Sequence, residues 1–193
     1  MLFRPVVARF CFSLVALCLA GSTLVANPKG KRDFPLTRKV GEKPLRLNGK
    51  GLCEWGFFGI DLYWGALYLE SKTTKSSDVL KVERSKRIEL LFLRALTKDQ
   101  MRQAFSAAFE ANAGKDLKKH RKDIDAFLRL HRSVKVGERW SYSYVPKVGL
   151  DVFAGKKKLF RFTDESFCKL FFKLYVGPKP PTKALRSGLL GKR

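Results

Sequence analysis

Residues 160–191 read FRFTDESFCKLFFKLYVGPKPPTKALRSGLLG. From Asp164 to Tyr175, the apolar residues Phe167, Leu170, Phe171 and Leu174 recur at helical spacing. The segment is therefore expected to be an amphipathic helix with Thr163 as its cap and with Gly177 and Pro178 as its stop. Val176-Gly177-Pro178-Lys179-Pro180 then leads into a short closing segment that ends Gly188-Leu189-Leu190-Gly191. Such an aromatic stripe needs a surface to be buried against, and the chain upstream supplies strands.

Gly51 to Glu70 is dense in aromatic and β-branched residues and predicts two long strands, with Gly56, Gly59 and Gly65 as bends or bulges. Counted by twos, Phe58, Ile60, Leu62, Trp64, Ala66 and Tyr68 form one continuously apolar face, expected to be sheet core. Phe57, Gly59, Asp61, Tyr63, Gly65 and Leu67 form a mixed one. Ile88–Leu93 suits a buried strand. Thr97 with Gln100 makes a capping box that opens a helix through Met101, Ala104, Phe105, Ala108 and Phe109, closed by Gly114. A second helix is expected over Asp116–His131, with Leu117, Ile124, Phe127, Leu128 and His131 inward. Its outer face then carries Lys115, Lys118, Lys119 and Lys122. Trp140–Val145, Leu150–Ala154 and Lys158–Phe162 complete a meander. This order of elements predicts an α+β domain, an antiparallel β-sheet covered on one face by helices.

The 193 residues, 45% of them hydrophobic, suffice for one domain and show no repeat. Arg4 and Arg9 precede the apolar run Phe10–Ala20 and the small residues that follow it, so residues 1–26 read as a signal peptide, too short in its apolar part to span a membrane. Residues 27–44, rich in proline and basic residues, are expected to be a flexible basic arm, and 45–193 the folded domain. The implied location is periplasmic or secreted. Export leaves Cys53 and Cys168, read as two buried thiols in preference to a disulfide. The net charge of +23 attracts polyanions. For an exported chain these are anionic lipid or envelope polysaccharide, with no nucleic acid expected.

Gly49–Glu70 (GKGLCEWGFFGIDLYWGALYLE), Leu91–Phe105 (LFLRALTKDQMRQAF) and the closing segment together resemble the chalcone-isomerase-like family, in particular its bacterial, exported branch, over most of the chain after about Leu45. The resemblance implies that family's open-faced sandwich. It also supplies a test, because plant chalcone isomerases hold a developing oxyanion with an arginine and complete the pocket with threonine, tyrosine and asparagine. The arginine's place falls on Cys53, the strand threonine's on Tyr63, the tyrosine's on Met101, the asparagine's on Ala108 and a later threonine's on Leu174. A thiol cannot replace a guanidinium, and oxyanion stabilisation is usually the largest catalytic contribution. No chalcone isomerase activity is therefore expected.

The walls that the resemblance implies are Cys53, Trp55, Tyr63, Met101, Phe105, Ala108 and Leu174. Some relatives bind fatty acids, and Tyr63, Arg94 or Arg46 would be the headgroup contact here. The leading expectation is an exported, non-catalytic domain binding a small apolar or amphipathic ligand such as a fatty acid. One alternative is a basic module docking through Lys115, Lys118, Lys119 and Lys122 on an anionic surface. The other is an isomerase or lyase-type enzyme of altered active site, using Tyr63 or Cys53. No cofactor or metal motif stands out. His120 and His131 are spaced to miss a common edge and read as surface or core-edge residues, and Gly49-Lys50-Gly51 reads as a turn.

Overall fold

The strands lie side by side in the order in which they leave the chain, so every connection is local. The computed structural model describes residues 34–55 and 59–192. The expected signal peptide, residues 27–33 of the expected arm, and Phe57 and Phe58 of the strand faces lie outside them. One seven-stranded antiparallel sheet runs β1 (Thr37–Val40), β2 (Lys43–Trp55), β3 (Ile60–Leu69), β4 (Lys86–Phe92), β5 (Arg139–Val145), β6 (Gly149–Ala154) and β7 (Lys157–Phe162). Helix α1 (Ser76–Val79) joins β3 to β4. Helices α2 (Lys98–Ala113) and α3 (Arg121–Leu130) join β4 to β5, and α4 (Glu165–Val176) and α5 (Lys183–Leu189) follow β7. This is the expected α+β class. Among the described residues no helix is long and apolar enough to cross a membrane.

Order begins before Leu45, contrary to the expected arm: β1 pairs with β2 from Thr37↔Arg46 to Val40↔Lys43, and Phe34 is buried. That early strand changes the reading of β3. The helices cover Tyr63 and Leu67, of the face expected to be mixed, and Leu69 beyond them, and these join the main core with Phe109, Phe127, Phe167 and Phe171. Ala66 and Tyr68, on the continuously apolar face, are fully buried too, but under Phe34, Val40 and Leu45. The sheet curls so that its first strands fold over its own back.

A buried charge cluster fastens that curl. Glu89 of β4, whose side chain is 3% exposed, accepts two hydrogen bonds from Arg38 of β1, Nε to Oε1 at 2.7 Å and Nη2 to Oε2 at 3.1 Å. Arg87 Nε donates to the same Oε1 at 2.8 Å, and Arg139 Nη1 stands 3.9 Å from Oε2. Bidentate, charge-assisted bonds of this kind fix orientation as well as energy.

In the neighbouring strand, Gly49-Lys50-Gly51 is the middle of β2, not a turn, and the closing segment is the helix α5 that lies across it. A Cβ on Gly49 would sit 2.1 Å from the Gly188 carbonyl oxygen, one on Gly51 2.6 Å from that of Leu185, and one on Gly188 2.4 Å from that of Lys50. Strand and helix therefore touch backbone to backbone, which only glycine permits. Leu185 and Leu189 are driven into the core by this approach and are fully buried.

Two helix boundaries also differ from expectation. The capping box Thr97–Gln100 opens α2 as expected, but after Gly114 the chain makes a 3₁₀ turn over Gly114–Leu117, and α3 starts only at Arg121. Asp164, rather than Thr163, caps α4: its Oδ1 accepts from the Phe167 amide at 2.8 Å and from the Ser166 hydroxyl at 2.6 Å.

Candidate functional site: an apolar cleft beneath helix α2

Strand register sets the floor of the site. Cys53 on β2 pairs with Tyr63 on β3, and Tyr63 pairs with Phe92 on β4, so three side chains stand in one row on the helix-facing side. Tyr63 meets Phe92 edge-on, with ring centroids 5.9 Å apart. The roof is α2. Its Phe109 turns into the core against Phe127 and Phe167. Ala104, Ala107, Ala108 and Ala111, at i, i+3, i+4 and i+7, form a stripe of methyl groups along its neighbouring face. Because these side chains are so small, they leave the space between helix and sheet unfilled, a cleft of about 440 Å³ that is also lined by Leu96, Met101, Leu174, Tyr175, Lys179, Pro180 and Pro181. A volume of this size suits a small organic ligand.

All seven of the expected wall residues, Cys53, Trp55, Tyr63, Met101, Phe105, Ala108 and Leu174, line this one cleft. Trp55 is 54% exposed and stands at its rim. The two arginines proposed for the headgroup do not line it. Arg46 is seven residues back along β2 from Cys53, about 23 Å at the rise of a strand. Arg94 lies beyond the end of β4, exposed. The cation on the cleft is Lys179, which sequence reasoning passed over, together with Glu54, Pro180, Pro181 and three of the four alanines. The alanine spacing was the available signal.

The interior is electrically quiet. Burial pushes the Cys53 thiol up from its ordinary value and the Tyr63 phenol well above its own, and the two groups interact with each other. Burial raises Tyr175 as well. At neutral pH these wall groups are uncharged, so Cys53 lacks the thiolate a nucleophile needs. Among the described residues, Glu54 and Lys179 are the only Asp, Glu, Lys or Arg side chains on the cleft, and neither forms an ion pair there.

The remaining candidates lie elsewhere. Lys115, Lys118, Lys119 and Lys122 are all exposed around the 3₁₀ turn and the start of α3, away from the cleft lining. Both histidines are buried, not at the surface as one reading allowed, and they sit at opposite ends of α3. Donor atoms of His120, Asp123 and Asp164 fall within 4.8 Å of one another, but Asp164 Oδ1 is committed to capping α4, and His120 Nε2 faces Ser166 Oγ at 3.4 Å. This arrangement ties α3 to α4. Cys53 and Cys168 are buried free thiols.

His131 is a structural pin. Because the Phe127 carbonyl can only accept, Nδ1 carries the proton and donates to it at 2.9 Å, leaving Nε2 to accept from the Tyr142 hydroxyl at 3.1 Å. Burial pushes this histidine down to about 4. An unfolded chain takes up that proton near pH 6.5, so acidification between pH 6.5 and pH 4 favours the unfolded state, by roughly 3 kcal/mol in all. Urea unfolding at intervals from pH 7 to pH 4.5 should show this slope and lose most of it in His131→Gln; an unchanged slope would assign the acid sensitivity to other groups.

The model of the chalcone isomerase-like family matches residues 28–191. No curated protein matches the chain in sequence. Among solved structures, the Arabidopsis thaliana fatty-acid binding protein superposes with a TM-score of 0.65 at 18% identity, over 86% of this chain and 95% of that one. At that identity the likeness is one of fold.

Proposed function

The chain belongs to the chalcone isomerase-like family, and from that premise we propose that it binds a small apolar or amphipathic molecule, such as a fatty acid, in the cleft under α2 without transforming it. The setting proposed is the cell envelope, where a signal peptide over residues 1–26 would deliver it. The observation that carries the reading is the cleft itself: about 440 Å³ of space walled largely by apolar side chains, with charge among the described residues confined to Glu54 and Lys179. An enzyme of this family would need a fixed positive charge or strong donors aimed at a developing oxyanion. At the corresponding places the cleft presents Cys53, Met101, Ala108 and Leu174, and of the five positions compared only Tyr63 keeps a hydroxyl. The fatty-acid binding of the Arabidopsis thaliana protein of like fold supports a carrier or sequestering role over a catalytic one.

The test is to purify the protein, extract it with organic solvent and identify bound small molecules by mass spectrometry, beside an Ala108→Trp variant. Ala108 packs at the edge of the core and faces the cleft, so an indole there fills the space while the fold persists. A near-stoichiometric lipid in the wild type, reduced at least tenfold in the folded variant, is the expected result. Equal ligand content in both would remove the cleft as the binding site.

A further inference from the structure

We infer that the cleft takes an amphipathic monoanion, a long-chain carboxylate being the simplest, and holds it head-outward, with the anionic end on Lys179 and the chain running inward along the alanine stripe of α2. This rests on the proposal that the cleft is a binding site, and goes on to name the charge, direction and anchoring residue of its ligand.

Three observations converge on it. The interior offers an anion no countercharge: the groups that face it are a thiol, two phenols and hydrocarbon, and an ion taken out of water without a partner is strongly disfavoured. An anionic end is therefore confined to the rim, where Lys179 is the only cation among the lining residues and is spent on no ion pair among the described ones.

Lys179 is also held in place. Asn112 Nδ2 donates to the Lys179 carbonyl at 2.7 Å and to that of Ala108 at 3.0 Å, while Lys173 Nζ donates to the Asn112 carbonyl at 2.7 Å. Pro178, Pro180 and Pro181 restrict the backbone on either side. The base of the side chain is thus fixed against α2 before a ligand arrives, which lowers the ordering cost of binding.

Direction follows from where that anchor lies. Asn112 is the residue after Ala111, so the Lys179 loop is fastened at the C-terminal end of the stripe. From Ala111 the stripe leads through Ala108, Ala107 and Ala104 to Met101, about 15 Å at the helical rise. A chain anchored at Lys179 finds its apolar surface along this line. Glu54, the other charge on the cleft, disfavours a second negative charge on the ligand and so selects a monoanion.

The experiment compares laurate with 1-dodecanol, which share a chain and differ in charge, by displacement of a neutral apolar dye from wild type, Lys179→Gln and Glu54→Gln. Lys179→Gln is expected to weaken laurate roughly three- to tenfold and leave dodecanol unchanged. Glu54→Gln should tighten laurate, and wild-type laurate affinity should fall with added salt while dodecanol does not respond. If both ligands displace the dye and Lys179→Gln alters neither, the head-outward assignment is overturned while the cleft remains a binding site. If neither ligand displaces the dye from wild type, the binding proposal fails, and this inference with it.

Discussion

Glu89→Leu is expected to lower the unfolding free energy by about 3–5 kcal/mol, among the larger effects available to a single substitution in this chain. The carboxylate is buried and takes hydrogen bonds from Arg38 and Arg87, with Arg139 close by. Without it, the partly exposed guanidiniums of Arg38, Arg87 and Arg139 face one another beneath β1 with no carboxylate between them. The damage should be local at first, because Arg38 is the link between β1 and the middle of the sheet. Amide exchange in Thr37–Val40 should accelerate by orders of magnitude before the rest of the sheet responds. Adding Arg38→Met to Glu89→Leu should recover part of the loss, since the pair removes both partners. A loss below about 1 kcal/mol for Glu89→Leu in urea denaturation would mean that the curl stands on the apolar contacts of Phe34, Val40 and Leu45 alone.

Gly51→Val is expected to be comparably severe. The new Cβ would fall 2.6 Å from the Leu185 carbonyl oxygen and 2.9 Å from its Cα, and neither atom can move without lifting α5. Exposing Leu185 and Leu189 forfeits on the order of 4 kcal/mol of burial. Gly155→Ala is the control: its φ is +60° and an added Cβ meets nothing within 4 Å, so only conformational strain of about 1 kcal/mol is at stake. Because Pro180 and Pro181 lead directly into α5, Gly51→Val should weaken ligand binding along with stability. Near-wild-type thermal unfolding of Gly51→Val would show that α5 can pack at a greater distance than its glycines imply.

What was legible in the sequence was local. The capping box at Thr97, the antiparallel meander and the aromatic stripe of α4 depend on residues within a few positions of each other, and the structure has them where the pattern put them. On β3 the apolar side of Ala66 and Tyr68 is buried as expected, but what buries it was hidden for a long-range reason: alternation shows that the two share a side, not that β1 folds back to cover them. Gly49-Lys50-Gly51 looked like a turn because its glycines answer to a helix from the far end of the chain. Thr163 and Asp164 are both competent caps, and the choice of Asp164 is settled by which oxygen reaches the Phe167 amide. The seven wall residues came from resemblance to a family, whereas Lys179 needed the structure, because its loop is tied to α2 by the Asn112 bond, a contact between residues 67 positions apart.

The unfilled space between α2 and the sheet separates two kinds of requirement on the sequence. Folding is written in Phe105, Phe109 and the buried side chains around them, whereas the length and width of the space are written in Ala104, Ala107 and Ala111, which are exposed and leave the core intact if enlarged. Mutation at the second set is nearly free of a stability penalty, so the space can be lengthened, narrowed or closed altogether while the scaffold is preserved.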